Sequence, residues 1–353
     1  MRIKLAILEK DSNYLKRIAT VFGTKYADKL EVYSFTDLEA ALGILDSARI
    51  DVFIASDMFH IDMAAIPKRC GFAYFVDAVD IDTINGQRAI GKFQKADLIY
   101  KQILSIFSEN AANVSGLRID GDSTRIIAFT SPAGGVGTSS MAAACAIYFA
   151  ARGKKTLYLN LEKFGSADAF FSGEGQFDMS DIIFSLKSKK ANLSLKLESC
   201  VKHDQSGVSF YSQSKIALDM LELSNEDVIR LITELKASGA YDNIVLDMDF
   251  SMGSDTLDIL QKMHAVVLVS DGSELANIKV LRAFSALATI ERQKDLSILN
   301  KLCLVYNKFS SKTGKALDQI EIVNLGGAPR YEHATTKQAV ACLAGMNLFG
   351  KIG

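Results

Sequence analysis

A glycine-rich loop is the part of this sequence best suited to bind an anion. Residues 131–140 read Ser-Pro-Ala-Gly-Gly-Val-Gly-Thr-Ser-Ser, between an apolar, strand-like run and a second apolar run, 141–151, typical of a buried helix. In such a strand–loop–helix unit, glycines let backbone N–H groups surround a phosphate, and the helix N-terminus adds about half a positive charge. The sequence therefore predicts a phosphate site made of Ala133, Gly134, Gly135, Val136, Gly137, Thr138, Ser139 and Ser140.

The loop has no cation where phosphate-binding loops carry a lysine, directly before the metal-binding Ser/Thr. Thr138 stands at that position. A lost hydrogen bond to a charged group costs about 1.5–3 kcal/mol, or roughly ten- to a hundredfold in affinity. The backbone N–H groups and the helix N-terminus remain, so we expect nucleotide binding to be weakened and not abolished.

Two downstream strands end in polar residues that suit a nucleotide site. Residues 241–247 end in Asp247, which could hold Mg²⁺ while the Ser139 hydroxyl binds the ion directly. Residues 304–307 end in Asn307, which is suited to reading a base edge, and Arg330 is a second candidate for base contact. Each feature alone is also compatible with an ordinary turn or strand end. Their succession in this order favours a nucleotide site with Mg²⁺.

Strand-like and helical segments alternate along most of the chain, which predicts an α/β fold with parallel sheets covered by helices. In the first part, strands are predicted at 4–8, 30–34, 52–55 and 73–76, and helices at 13–22, 38–45 and 98–107. In the second part, strands are predicted at 125–130, 156–161, 208–211, 244–247, 265–269 and 302–307. A length of 353 residues suits two domains. The polar segment 108–123 is the predicted linker between domains at 1–107 and 124–353.

Composition excludes little but points to a cytoplasmic protein. The net charge of −1 gives no reason to expect a specific nucleic-acid partner. Five cysteines occur singly, without a CxxC pair, so neither a zinc site nor a disulfide framework is expected. The apolar run at the N-terminus is too short for a signal peptide, and no apolar run approaches the ~20 residues needed to cross a bilayer.

Residues 124–353 resemble the deviant Walker A ATPases that include MinD and ParA, whose loop reads roughly Lys-Gly-Gly-x-Gly-Lys-Thr. Gly134, Gly135, Gly137 and Ser139 match that loop. The resemblance implies a P-loop domain with a parallel sheet and helices on both faces, which binds ATP and Mg²⁺ and forms a homodimer. Ala133 stands where the family has its signature lysine, which reaches the partner subunit's nucleotide.

The next strand departs from the family as well. Asn160 and Glu162 stand where the family has Asp-x-Asp, whose first Asp positions the attacking water. Phosphoryl transfer depends mainly on positioning and electrostatics. The absence of both lysines and of that carboxylate therefore predicts ATP binding with slow or absent hydrolysis, and no catalytic residue is assigned.

Residues 1–107 resemble the flavodoxin-like receiver domain of response regulators. The family's paired acids correspond to Glu9-Lys10-Asp11, where a lysine beside the acids would repel Mg²⁺. Ser56 stands at the phosphoacceptor position, with Asp57 one residue late. The receiver lysine is matched by Lys92, and Asp77 replaces the family's Thr/Ser. We therefore expect a pseudo-receiver that serves docking.

A receiver-like domain followed by a degenerate MinD-like domain resembles the TadZ/CpaE family over the full length. The resemblance implies an ATP-binding scaffold that marks a cell pole and recruits the tight-adherence (Flp) pilus secretion machinery, with peripheral association with the inner membrane. Two alternatives stay open. One is an active partition-type ATPase that cycles on membrane or DNA, and the other is a phosphorylation-controlled response regulator.

Overall fold

The computed structural model describes residues 2–78, 80–110, 124–188, 192–294 and 296–352. The chain forms two compact units. One combines Met1–Gly116 with Ser185–Cys200, and the other combines Leu117–Phe184 with Val201–Gly353. Each unit is built on one predominantly parallel sheet, which confirms the predicted α/β class.

The N-terminal unit has the strand order of a flavodoxin-like sheet, β2-β1-β3-β4-β6, with β5 added at one edge. Its strands are β1 (Ile3–Leu8), β2 (Leu30–Phe35), β3 (Val52–Ser56), β4 (Gly71–Val76), β5 (Thr83–Ile84) and β6 (Gln87–Gly91). Its first helices are α1 (Ser12–Lys25), α2 (Leu38–Ser47) and α3 (Ala96–Asn110). Every strand pair is parallel except β5–β6.

The β5–β6 hairpin was not predicted from the sequence, although the sequence carries its signal. Asn85 and Gly86 both have positive φ, 50° and 75°, as a two-residue hairpin turn requires. The flanking strands are too short, and β5 too exposed, for an alternating pattern to be visible. This hairpin follows β4 along the chain, where the predicted alternation would place a helix before the next strand.

The second unit contains an eight-stranded sheet in the order β14-β13-β12-β7-β11-β8-β10-β9, parallel except for the β9–β10 pair. The strands are β7 (Arg125–Thr130), β8 (Thr156–Asn160), β9 (Lys202–His203), β10 (Val208–Phe210), β11 (Asn243–Asp247), β12 (Ala265–Ser270), β13 (Leu302–Tyr306) and β14 (Val323–Gly327). The helices between and after them are α4 (Thr138–Ala150), α5 (Ala167–Phe170), α6 (Met179–Ser188), α7 (Leu193–Cys200), α8 (Ala217–Leu221), α9 (Asn225–Ala237), α10 (Ser254–Gln261), α11 (Glu274–Gln293) and α12 (Thr336–Ala344). All six strands predicted for this part of the chain are present. The two-residue β9 and the largely exposed β14 are not among the predicted strands.

Burial on both faces explains why the central strands are continuous apolar runs. Every residue of β8, β11, β12 and β13 is buried. Helix α4 packs against β7, β8 and β11 on one side and against α12 on the other, so small apolar residues occupy every face of its middle turns. This packing fixes the N-terminus of α4 at the end of β7.

The observed units differ from the predicted boundaries in one respect. Helix α7 lies within the predicted second domain but groups with the N-terminal unit, where it packs on α3. Leu193 and Leu197 are buried there, and the Lys196 ammonium donates a hydrogen bond to Ser105 Oγ at 2.9 Å. The local sequence does not predict this burial, because the basic composition of residues 186–196 is typical of a solvated segment.

The start of the predicted linker is helical. Residues 108–110 form the last turn of α3. The rest of the linker, 111–123, lies outside the described residues. Within the part of the chain that the structure describes, no helix is long and apolar enough to cross a bilayer.

Candidate functional site

The glycine loop connects β7 to α4 and has a backbone that requires glycine. Gly135 and Gly137 have φ of 76° and 89°, in the left-handed region that side chains disfavour. Gly137 is also the N-cap of α4, and a Cβ there would lie 2.3 Å from Asn307 Nδ2. Thr138, Ser139 and Ser140 form the first helical turn, whose N–H groups have no intrahelical acceptor. The loop therefore has the geometry of a phosphate cradle.

The end of β13 holds this loop in place. Asn307 is buried, and its Nδ2 donates to the Val136 carbonyl at 2.8 Å. The next residue, Lys308, has a φ of 56°, and its ammonium donates to the Gly135 carbonyl at 2.8 Å. Two successive side chains thus restrain two successive carbonyls of the loop. Sequence reasoning assigned Asn307 to the base and missed Lys308, because no local pattern signals a contact across strands.

Asp247 ends β11 with one carboxylate oxygen unused. It lies beside Asn160 in the parallel register of β11 and β8. Asp247 Oδ2 accepts hydrogen bonds from the Tyr158 hydroxyl at 2.7 Å and from Asn160 Nδ2 at 2.9 Å. Asp247 Oδ1 has no hydrogen-bond partner among the described residues, although Asp247 is completely buried. A buried, unpaired carboxylate oxygen suits a cation.

Glu162 and Ser139 complete an oxygen-rich cluster with Asp247. The Ser139 hydroxyl donates to Glu162 Oε2 at 3.2 Å, and Asn160 Nδ2 donates to the same oxygen at 3.1 Å. Burial, and then the nearby Glu162 carboxylate, raise the pKa of Asp247 to about 7. Hard oxygen ligands are those that Mg²⁺ prefers. The residues present therefore fit Mg²⁺, which Ser139 and Asp247 would hold.

The described residues contain no group of three or more His, Cys, Asp or Glu side chains that could hold a metal by themselves. Mg²⁺ does not require such a group, because it is usually coordinated by one or two protein carboxylates, with water and substrate phosphates as its other ligands. When bound, such an ion neutralises phosphate charge. Ser139 and Asp247 would orient it at the start of α4.

Ala133 and Asn160, which stand where the resembled ATPases have charged residues, are both held by contacts with neighbouring residues. Ala133 is buried among the apolar residues that pack around α4. The Asn160 side chain uses both ends, since Oδ1 accepts from the Glu162 N–H at 3.1 Å while Nδ2 donates to Asp247 and Glu162. Arg330 is exposed and makes no ion pair or hydrogen bond with any described residue, so its base contact stays a prediction.

In the N-terminal unit, an ammonium group occupies the centre of the receiver-like site. Lys92 Nζ lies 2.9 Å from Glu9 Oε2, 3.1 Å from Asp77 Oδ1 and 3.4 Å from Ser56 Oγ. Glu9, Ser56 and Lys92 are buried, whereas Asp57 is exposed. Burial opposes the charged form of Lys92, but the bonds to Glu9 and Asp77 outweigh it and hold its pKa above the usual value. The site therefore supplies its own cation.

Comparisons with known proteins agree with this architecture. Residues 1–108 match the model of the TadZ-like receiver domain. The solved ParA family ATPase from Chlorobium tepidum TLS is 19% identical, with 65% of this chain and 96% of that chain covered and a TM-score of 0.50. MinD in the MinC:MinD complex of Aquifex aeolicus is 16% identical, with 62% and 94% covered and a TM-score of 0.48. No curated protein matches the chain.

These findings confirm the predicted resemblance to TadZ/CpaE-type proteins. Residues 1–108 are similar to the TadZ-like receiver domain, and the second domain has the fold of the ParA family ATPase. At 19% identity, that likeness establishes the fold of the second domain alone.

Replacement of Lys92 by Met should destabilise the N-terminal unit strongly. The substitution leaves the Glu9 carboxylate buried without its cation, which typically costs about 3–5 kcal/mol. Lys25→Met is the matched control, because the Lys25–Asp97 pair is exposed and such pairs contribute about 0.2–1 kcal/mol. Urea unfolding of the full chain measures both. Equal, small losses would contradict a buried structural cation at Lys92.

Replacement of Asp247 by Asn should stabilise the metal-free protein at pH 8 by about 1–3 kcal/mol, because it removes a buried and incompletely bonded charge. Because the pKa of Asp247 is raised in the folded protein, the native state holds this proton more tightly than the unfolded chain does. The free energy of unfolding therefore falls as pH rises from about 4 to about 7. Thermal unfolding with and without Mg²⁺ measures the effect. Mg²⁺ should stabilise the native sequence and not the variant; an equal Mg²⁺ response would argue against this site.

Proposed function

We propose that this protein is an ATP-binding scaffold with slow or absent hydrolysis, which recruits tight-adherence pilus secretion machinery at a cell pole. The observation that carries the proposal is that the site keeps groups suited to binding but differs at the positions that serve hydrolysis. Backbone N–H groups and side-chain oxygens that suit a phosphate and Mg²⁺ lie together at the start of α4, whereas Ala133, Thr138 and Asn160 carry no charge where the resembled ATPases have charged residues.

The groups proposed to bind ATP and Mg²⁺ are backbone N–H groups and a side-chain oxygen, so this binding does not depend on a lysine. Gly135 and Gly137 set the loop conformation, the first turn of α4 offers free N–H groups, and Asp247 keeps an unpaired oxygen. Helix N-termini bind phosphate through such N–H groups and the helix dipole. This supports ATP with Mg²⁺ as the ligand, with Asn307 and Arg330 as proposed base contacts.

The hydrolytic groups are missing in three places. Ala133 and Thr138 carry no positive charge that could stabilise the negative charge developing on the transferred phosphoryl group. Asn160 has no carboxylate, and its amide is committed to Asp247 and Glu162. Removal of one hydrogen-bond donor that stabilises developing negative charge costs about 10²–10³ in rate in well-studied sites. The combined losses support weak or absent turnover.

The recruiting role is supported by the receiver domain. The TadZ-like receiver domain has an internal ion pair where a phosphorylatable site would need Mg²⁺ and an aspartate, so a constant docking surface fits it better than a phosphorylation switch. We propose a homodimer, partners in the pilus and secretion machinery, and a cytoplasmic location with peripheral association with the inner membrane. No specific nucleic acid is proposed.

Calorimetry with ATP and Mg²⁺ should give one binding site per chain, while phosphate release stays far below about 1 s⁻¹, the lower end for ordinary enzymes. Gly137→Ala is the control for the site. A Cβ at a φ of 89° and 2.3 Å from Asn307 Nδ2 distorts the loop, so this variant should lose ATP binding. Steady multiple turnover by the native sequence would overturn the scaffold proposal in favour of an active ATPase.

Thr138→Lys should raise ATP affinity by roughly ten- to a hundredfold, because it restores a charged hydrogen bond to phosphate. Thr138→Met is the control, since it adds a chain of similar reach without charge. The measurement is the dissociation constant of ATP at fixed salt and Mg²⁺. Equal affinities of the two variants would mean that phosphate does not lie at the start of α4.

A further inference from the structure

A cavity of about 250 Å³ opens beside Asn160 in the second unit. Its floor is apolar and made of buried residues, including Ala167, Met179, Tyr211 and Met220. Small-molecule sites usually enclose about 300–1,000 Å³. The cavity is below that range and suits one bulky apolar side chain better than a cofactor.

The rim of the cavity is apolar and unusually exposed. Phe164 lines the opening and is 78% exposed. Helix α8, which contributes Ala217 and Met220 to the cavity, carries Leu218 and Leu221 at 68% and 49% exposure, directly after Ile216 at 58%. Monomeric proteins rarely expose so many large apolar side chains together unless the surface binds a partner.

Two lysines give the rim a positive charge. Lys163 and Lys215 both line the cavity, and neither side chain makes an ion pair or hydrogen bond with any described residue. None of the described residues that line the cavity is acidic, and Asp219 of α8 accepts a hydrogen bond from Ser214 Oγ at 3.3 Å. A partner that fits this surface therefore carries a bulky apolar side chain flanked by carboxylates.

The loop that carries Lys215 is held in place before any partner arrives. Asp168 accepts hydrogen bonds from Ser212 Oγ at 2.8 Å and from the Gln213 N–H at 2.9 Å. Ser214 Oγ lies 2.7 Å from Ser180 Oγ, which ties the same loop to α6. A preformed cavity lowers the conformational entropy that binding would otherwise cost.

The same charges argue against two other occupants. A second copy of this surface would place lysines opposite lysines, and like-charge contacts oppose association. A lipid surface is recognised by clusters of about 4–8 basic residues or by long amphipathic helices, whereas this rim has two lysines and a five-residue helix.

We propose that this cavity, the Lys163–Lys215 cavity, is a docking site for an acidic protein segment that inserts one bulky apolar side chain. The nucleotide site shares a wall with it. Asn160 lines the cavity and also bonds to Asp247 and Glu162, and a Cβ on Gly165 would lie 2.4 Å from Asn160 Oδ1. A ligand that engages Glu162 or Asp247 therefore acts on residues 162–165 and alters the cavity. This linkage, unlike the docking site itself, rests on the proposed ATP binding.

A randomised twelve-residue peptide library displayed on phage, selected on the purified full chain, tests the site. Selection should enrich peptides in which Phe, Leu, Met or Trp is flanked by Asp or Glu. Failure to enrich such peptides, or enrichment of basic ones, overturns the proposal. The best peptide is then synthesised, and its affinity is measured by fluorescence anisotropy.

Variants of exposed residues locate the binding. Phe164→Ser with Leu218→Ser, and separately Lys163→Glu with Lys215→Glu, should each weaken the peptide at least tenfold. Lys262→Glu with Lys279→Glu makes the same change of net charge at exposed positions outside the cavity and should leave affinity unchanged. Equal loss in both charge-reversal pairs would mean unspecific electrostatics and would overturn the site.

Three further readouts separate the alternatives. Sedimentation with vesicles containing phosphatidylglycerol that depends on Phe164 and Leu218, without peptide binding, would assign the surface to membrane. A dimer lost in the same variant, again without peptide binding, would assign it to a second copy. Peptide affinity should change with ATP and Mg²⁺. An unchanged affinity in protein that binds ATP overturns the linkage, whereas absence of ATP binding overturns the proposed function and not the docking site.

Discussion

The close approach of Gly137 to Asn307 is the constraint on which the second domain's site depends. It joins the N-cap of α4 to the end of β13, and it tolerates neither a Cβ at residue 137 nor a displaced loop. Once Asn307 and Lys308 hold the Val136 and Gly135 carbonyls, the loop conformation is set without a lysine of its own. The first-turn N–H groups and the Ser139 hydroxyl are then placed beside Glu162 and Asp247. The contacts that restrain the loop therefore come from residues outside it.

The two domains differ in whether the buried carboxylate at the end of the sheet, Glu9 or Asp247, has a cationic partner. In the N-terminal domain, the buried Glu9 carboxylate is paired with the Lys92 ammonium, which also contacts the exposed Asp77, so the buried carboxylate already has its cation. In the second domain, Asp247 has one bonded and one unbonded oxygen, and burial raises its pKa. A complete site has little use for a metal ion, whereas an incomplete one gains from it. This difference favours a constant role for the first domain and a ligand-dependent one for the second.

Asn160 lies between the metal cluster and the Lys163–Lys215 cavity. Its amide spans Asp247 and Glu162, and the chain beyond it supplies Lys163, Phe164 and Gly165 to the cavity wall. In an ATPase this position would serve water activation. Here the Asn160 amide has no carboxylate and instead links the Asp247–Glu162 cluster to the wall of the cavity.

The sequence by itself determined the α/β class, six of the second domain's strands, and the strand–loop–helix unit that contains residues 133–140. These follow from local rules: buried parallel strands are continuous apolar runs, and left-handed turns need glycine. Only the tertiary structure decided which way Asn307 points, that Lys308 restrains the loop, that α7 packs on α3, and that three separate segments enclose one cavity. Those contacts join residues far apart in the chain, and their partners are set by sheet order and packing, which no local pattern encodes.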